Sequence, residues 1–228
     1  MISRFWTLEA LILEAGWLSD LSALTSTKVE MGLSFLRYLS IPYANQLVRG
    51  LNSVLASNPF LLELELFTLP SPITSQSIQR LALGHLDAES TVCLTRSLRK
   101  LPSLRELDVA RWYLDDPRCV QFGRLQELSI VHCYSLWLEG DDQLMPCLLY
   151  CQAVEDMVRC FPAAGRIDEL CLCDMVGVGV CKIERLAAAL KPHGLRRLLF
   201  RRCTPDMACV IRSKQLVHEL KFVEERTE

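Results

Sequence analysis

A six-residue pattern, LxxLxL, recurs nine times along the chain and constrains its fold more than any other feature. Apolar residues occupy the first, fourth and sixth positions of each copy. The copies begin at Leu8, Leu36, Leu61, Ile78, Leu104, Leu125, Ile167, Leu195 and Val217. Most of the intervals between them lie in or close to roughly 20–29 residues, a period at which repeat proteins stack strand-containing units. The pattern therefore predicts a stack of similar structural units.

Strands and helices alternate in this pattern. Inside a copy, polar residues flank the apolar ones, as Glu63 and Glu65 flank Leu64, and this period of two predicts a strand with one buried face. Between copies the apolar residues return every three or four positions, which predicts a helix with one buried face. The helical stripes are Leu47–Leu51–Val54–Leu55, Leu94–Leu98–Leu101 and Ile183–Leu186–Leu190. The sequence thus predicts an α/β fold.

Two intervals depart from the period. The segment 67–76, FTLPSPITSQ, has no helical stripe, and we expect extended chain there. The interval after the copy at Leu125 is unusually long. A helix over 144–160, with Leu148, Val154 and Met157 facing inward, would account for much of its length. The remainder, 134–143, is expected to form an exposed loop that contains Trp137. Long loops in repeat proteins often carry function, which makes Trp137 a candidate for partner binding.

The segments LVRGLNSVLASNPFLLELEL (47–66) and CKIERLAAALKPHGLRRLLF (181–200) show the family resemblance most clearly. They resemble leucine-rich-repeat proteins of the ribonuclease-inhibitor-like class, which includes the repeat regions of NOD-like receptors. The resemblance covers about Leu8 to Phe222. It implies one leucine-rich-repeat domain over 1–228, a horseshoe-shaped solenoid of about nine strand–helix repeats whose parallel sheet lines the concave side.

The ninth position of the repeat departs from the family pattern. It should be Asn or Cys, and only Cys133 and Cys203 comply. Cysteine at this position also occurs in F-box-type repeats, so that subclass stays open. Phe5, Trp6 and Leu8 would begin the stack without a covering repeat. We therefore expect either a longer native protein or association through an uncapped N-terminal end.

Composition excludes several classes of function. The net charge is −2, from 25 basic and 27 acidic residues, which leaves no broad basic field for nucleic acid. The apolar N-terminal segment is interrupted by Glu9 and Glu14, and no stretch is long and apolar enough for a membrane span. All 11 cysteines lie from Cys93 onward, and in a chain of this length they indicate reduced thiols in the cytoplasm.

In a solenoid of this class the third, fifth and seventh residues of each copy face the concave side, where a protein partner would bind, and the eighth residue is included in the map. The candidate residues are Glu63, Glu65, Phe67, Glu106, Asp108, Arg111, Glu127, His132, Glu169, Asp174, Arg197 and Arg201, together with Trp137 from the expected loop. Strands lie about 4.8 Å apart, so Glu106, Glu127 and Glu169 are expected to form one column that attracts a basic partner.

No enzyme, metal or cofactor chemistry is predicted. Cys171 and Cys173 share a strand face and could join His132 in a metal site, but the sequence has no CxxC pair and this class commonly holds many free thiols. The first hypothesis is a non-enzymatic scaffold for a protein partner. The alternatives are a GTPase-activating protein of the Ran type, with Arg111 or Arg201 aimed at the nucleotide, the substrate-binding part of a ubiquitin ligase adaptor, or a fragment without an independent role.

Overall fold

The structure is a computed structural model, and it describes residues 8–14, 21, 35–42, 49–114, 124–139, 154–173, 180–203 and 207–223. Within these ranges nine strands form one open sheet in the order of the chain, and every neighbouring pair is parallel. The strands are β1 (Ala10–Ile12), β2 (Tyr38–Ile41), β3 (Glu63–Leu66), β4 (Arg80–Leu86), β5 (Glu106–Leu114), β6 (Ile130–Glu139), β7 (Arg166–Cys173), β8 (Arg197–Arg201) and β9 (Glu219–Val223).

Helices connect several of these strands and cover one face of the sheet. They are α1 (Leu51–Ser57), α2 (Ala88–Leu98), α3 (154–159), α4 (Val180–Leu190) and α5 (Met207–Leu216). The predicted helical stripes are buried where the structure describes them: Leu51, Val54 and Leu55 in α1, Leu94 and Leu98 in α2, and Ile183, Leu186 and Leu190 in α4. Leu101 is buried just beyond α2, and Leu47 lies outside the described residues. Asp87 begins α2, and its carboxylate accepts a hydrogen bond of 2.8 Å from the Ser90 backbone N–H. This cap satisfies one of the N–H groups that a helix start leaves without a partner. The α/β class and the parallel sheet are confirmed.

The core lies between the sheet and the helices. In the first strands the fourth and sixth residues of each copy lie in register across the sheet and are fully buried. The fourth residues Leu39, Leu64, Leu81 and Leu107 form one row, and Ile41, Leu66, Leu83 and Val109 form the next. The leucine pattern thus builds one continuous apolar layer that extends from strand to strand.

The sixth copy begins three residues later than predicted. Leu107 lies opposite Val131, so Leu128, Val131 and Cys133 take the motif positions. Leu125 belongs instead to a short 3-10 turn over Leu125–Glu127. The predicted motif Leu125–Leu128–Ile130 is therefore wrong. Leu125 and Leu128 are both buried, so strand pairing and not burial decides between the two choices.

A second offset occurs between β6 and β7, where Leu170 pairs with Leu136. The long strand β5 has buried pairs at both ends, Leu107 and Val109 and then Trp112 and Leu114, with two exposed residues between them. The later strands continue the second pair. This row consists of Leu86, Trp112, Leu136, Leu170, Leu198 and Leu220. The buried rows of the last strands are therefore offset from those of the first strands by about one motif along the strand direction. Strands β5 to β7 contribute residues to both sets of rows.

The two irregular intervals give mixed outcomes. The segment 67–79 contains helix nowhere and buries Leu69 and Ile73, as expected for extended chain. The predicted loop is wrong over 134–139, which belongs to β6, while 140–143 lie outside the described residues. Val154 and Met157 are buried in α3 as predicted, and Leu148 lies outside the described residues.

The described N-terminal part is strand β1, with no helical cap over 8–14. Leu8, Leu11 and Leu13 are half-buried against the core, and Ile12 is 55% exposed. Phe5 and Trp6 lie outside the described residues. None of the helices in the described ranges has the length and apolar character needed to cross a bilayer.

Candidate functional site

The face of the sheet opposite the helices carries nearly all the residues predicted to bind a partner, and we call it the open face. Strand register divides it into two parts. The amino-end rows hold Tyr38–Glu63–Arg80–Glu106–Ile130 and Ser40–Glu65–Ala82–Asp108–His132–Arg166. The carboxyl-end rows hold His85–Arg111–Ser135–Glu169–Arg197–Glu219 and Tyr113–Trp137–Cys171–Leu199–Lys221.

Arg80 links the carboxylates of the amino-end rows. Its guanidinium donates to Asp108 over 2.8 and 3.0 Å, and it lies 3.8 Å from Glu63 and 3.9 Å from Glu106. The hydrogen bond with Asp108 raises the pKa of Arg80 against the opposing effect of burial. The acidic residues at this end are therefore partly neutralised by a cation on the neighbouring strand.

Glu65 is held by two hydroxyl groups of β2. Tyr38 donates to its carboxylate over 2.5 Å and Ser40 over 2.9 Å. The hydrogen bond to Glu65 is also the main reason that the pKa of Tyr38 is raised, with burial adding to it. Both donors come from the strand beside Glu65, so this carboxylate is positioned before any partner arrives.

His132 lies between two carboxylates at the centre of the face. Its Nε2 is 3.1 Å from Asp168 on β7, and its Nδ1 is 3.9 Å from Asp108 on β5. Arg166 also donates to Asp168, over 2.7 Å. Burial raises the pKa of Asp168, but the hydrogen bonds from Arg166 and His132 together outweigh it, and the pKa is lowered. The ring of Tyr134 lies 3.8 Å from that of His132.

Glu169 is buried in the carboxyl-end rows, where side chains of β6 and β8 contact it. Ser135 donates to it over 2.6 Å, and the Arg197 guanidinium lies 3.4 Å away. The indole N–H of Trp137 donates to the same Ser135 hydroxyl over 2.8 Å. A hydrogen-bonded chain thus joins Trp137, Ser135 and Glu169, which fixes the orientation of the indole ring.

Four ring side chains form a continuous contact across β3 to β6, and we call Phe67, His85, Tyr113 and Trp137 the aromatic ridge. Successive ring centroids are 6.0, 4.6 and 5.0 Å apart. The guanidinium of Arg201 on β8 lies 5.5 Å from the centroid of Trp137 and extends the line. Neighbouring strands bring these residues together, although 18 to 28 positions of sequence separate successive members of the ridge.

Part of this ridge could be predicted from the sequence. The sequence predicts Phe67 and Arg201 on the concave face and Trp137 in an exposed loop, and the structure places all three on the open face. Tyr113 was missed because the expected map of the face ended at the eighth motif position, whereas Tyr113 is the tenth. The aromatic residues that recur at the ends of successive strands were the signal that could have identified it.

The predicted acidic column is wrong. Ile130, and not Glu127, pairs with Glu106, because the sixth motif begins later. Glu127 lies in the 3-10 turn before β6 and bonds Arg124 over 2.8 Å. Glu169 pairs with Ser135, five residues beyond Ile130. The three carboxylates therefore occupy three different places.

Of the other predicted residues, Arg111 is exposed on the open face between Ala110 and Trp112, and Asp174 lies outside the described residues. The Sγ atoms of Cys171 and Cys173 are 3.4 Å apart and buried, while His132 is engaged with Asp168. Within the described ranges no three His, Cys, Asp or Glu side chains are grouped so as to hold a metal.

No protein-family model matches the sequence, and no curated protein matches it significantly. Over the described residues the chain has an α/β fold with a single open sheet of nine parallel strands in sequential order, which is compatible with a repeat solenoid.

Proposed function

We propose that this chain is a leucine-rich-repeat protein of the ribonuclease-inhibitor-like class. The sequential parallel strands support this assignment, since a parallel connection between neighbouring strands needs a crossover of the kind that each repeat supplies. The buried rows of leucines support it as well, because they are the motif positions that define the repeat. In this class the open face would line the concave side of the solenoid.

We propose further that the chain is a non-enzymatic scaffold that binds a protein partner on the open face. The observation that carries this proposal is the continuous lattice of polar and ring side chains across adjacent strands, from Tyr38 on β2 to Arg197 on β8. Because the strands lie about 4.8 Å apart, these side chains extend over a surface wide enough for a protein–protein interface. Its side chains are held by one another, and a preorganised surface loses less entropy on binding.

The cysteines support a reducing, cytoplasmic setting. Cys93, Cys133, Cys160, Cys171 and Cys181 are thiols without disulfide bonds in the structure. Disulfides form and persist mainly in oxidising compartments, and a chain that keeps this many thiols fits the cytoplasm.

Site-specific photo-crosslinking tests the scaffold proposal. A benzophenone amino acid replaces Ala110, which is exposed on the open face, and in a matched variant it replaces Ala56, which is exposed on α1. We expect a single partner crosslinked in stoichiometric yield from Ala110 and background labelling from Ala56. Crosslinks confined to the Ala56 variant, or none from either position in cell extract, would overturn the proposal.

A further inference from the structure

We propose that the carboxyl-end rows of the open face bind an acidic protein segment that carries an aromatic or large aliphatic side chain. The contact would be made by the aromatic ridge together with Arg111 and Arg197. This inference rests on the scaffold function proposed above and names the chemistry of the partner. It replaces the basic partner that the sequence suggested.

The composition of the ridge is typical of a protein-binding surface. Tyr, Trp and Arg are the residues that dominate binding energy at protein interfaces, because they offer large contact areas with a polar end. Here Tyr113, Trp137 and Arg201 lie in one line with spacings of 5.0 and 5.5 Å. The rings are half-buried, and the hydrogen bond from Trp137 to Ser135 fixes the last of them. A fixed ring contributes contact area at little cost in side-chain entropy.

The charge of the open face changes sign between its two ends. The amino-end rows and their extension to Asp168 hold five carboxylates and two guanidinium groups. These are Glu63, Glu65, Glu106, Asp108 and Asp168 against Arg80 and Arg166. Around the ridge the described side chains have the opposite balance. Arg111, Arg197, Arg201 and Lys221 stand against Glu169 and Glu219. A partner that lies on the ridge therefore meets a positive surface.

Two carboxylates of the amino-end rows already accept hydrogen bonds from neighbouring side chains. Glu65 accepts from Tyr38 and Ser40, and Asp108 accepts from Arg80. A basic segment docking there would have to compete with these hydrogen bonds. Arg111, in contrast, is exposed beside Tyr113, and the side chain of Arg197 is 44% exposed although it lies near Glu169. Both can pair a carboxylate of the partner, and guanidinium groups do so through two parallel hydrogen bonds.

The geometry of the rings favours a protein segment over a single-stranded nucleic acid. Bases bind by stacking on exposed ring faces. In the ridge, the faces of His85 and Tyr113 are turned toward neighbouring rings, with interplanar angles of 15° to 33° and centroids at 4.6 to 6.0 Å. A base would have to displace these ring contacts, whereas carboxylates and apolar groups can pack against ring edges, which carry partial positive charge.

The test is a selection from a displayed library of random 12-residue peptides against the intact chain. Consensus peptides are then synthesised and titrated by fluorescence anisotropy. The variants are Trp137→Ala and Arg111→Glu, with Arg99→Glu as a matched charge reversal at the exposed end of α2. Because Arg111 is exposed, its variant should fold even if Trp137→Ala loses stability, and thermal unfolding of each variant is measured. A twelve-residue oligothymidine is titrated in parallel.

We expect enrichment of peptides with two or more carboxylates next to an aromatic or leucine residue. Arg111→Glu and Trp137→Ala should each weaken their binding at least tenfold, and Arg99→Glu should leave it within twofold. Failure to enrich any peptide, tighter binding of the oligonucleotide, or a consensus that the ridge variants leave unchanged would each overturn the inference. Enrichment of basic peptides whose binding is abolished by Asp108→Lys would also overturn the inference, but it would leave the scaffold proposal intact. Failure of the scaffold proposal is detected separately, by the crosslinking experiment at Ala110.

Discussion

Arg80 donates two hydrogen bonds to one carboxylate oxygen of Asp108, across the boundary between β4 and β5. The same guanidinium lies within 4.0 Å of Glu63 and Glu106. One cation therefore balances three carboxylates from two neighbouring strands. Like charges on adjacent strands destabilise a sheet, and the pairing explains how the acidic rows can form without strong repulsion.

The first prediction concerns this pairing. Arg80→Met should lower the free energy of unfolding by about 0.5–1 kcal/mol at 50 mM salt, because exposed ion pairs contribute little and the three carboxylates would then repel one another. At 1 M salt the loss should shrink, since screening acts over a few ångströms at that concentration. Urea unfolding at both salt concentrations measures it, with Arg99→Met as the control. A loss that salt does not change would mean that Arg80 acts through packing of its aliphatic part.

The second prediction concerns pH and Asp168. Its pKa is lowered in the folded state, so its ionised form stabilises the fold above its ordinary pKa of about 4, and this stabilisation disappears as the pH falls through the lowered value. Asp168→Asn should cost about 1–3 kcal/mol at pH 7, because the donors Arg166 and His132 lose their charged acceptor.

The difference between wild type and Asp168→Asn should narrow as the pH drops from 5 to 3. Unfolding by urea at each pH measures it. Asp156→Asn on α3, whose carboxylate is 58% exposed, serves as the control and should show a much smaller pH dependence. A difference that stays constant down to pH 3 would contradict the assigned role of Asp168.

The periodic pattern of the sequence predicts which residues of a strand are buried, but it does not always predict how the strands pair. Rows such as Leu64, Leu81 and Leu107 could be predicted, because burial of every second residue in a strand produces an alternating apolar pattern within the sequence of that strand. The start of the sixth motif could not, since Leu125 and Leu128 both fit the pattern and only pairing with β5 separates them. The contacts of His132 and Ser135 depend on that same register and were beyond prediction from one sequence. Arg80, in contrast, lies between β3 and β5, whose register follows the predicted motifs.

The third prediction concerns the extended segment that replaces a helix before β4. The backbone N–H of Ile73 donates to the hydroxyl of Ser97 over 2.9 Å, and this hydroxyl donates in turn to the carbonyl of Cys93. Both Ile73 and Ser97 are fully buried. Ser97→Ala removes the acceptor from a buried N–H and should cost about 1–3 kcal/mol in urea unfolding. The exposed Ser53→Ala on α1 should cost far less. Equal losses for both variants would mean that Ile73 finds another acceptor.

The last prediction concerns thiol reactivity. Cys181 is exposed on α4, whereas Cys133 and Cys171 are buried in β6 and β7. Burial raises the pKa of Cys133, and the hydrogen bond with Cys173 raises that of Cys171, with burial adding to it. Since the thiolate is the reactive form, both effects oppose alkylation.

Iodoacetamide at pH 7.5, followed by peptide mapping, should therefore label Cys181 within minutes. Cys133 and Cys171 should react at least about 100-fold more slowly, because attack requires local opening of the apolar layer over Cys133 and of the side chains that cover Cys171 on the open face. In guanidinium chloride the three rates should converge, and Cys181→Ser should remove its fast phase without changing the slow ones. Labelling of Cys133 in the native protein as fast as that of Cys181 would contradict a closed apolar layer between β6 and its helices.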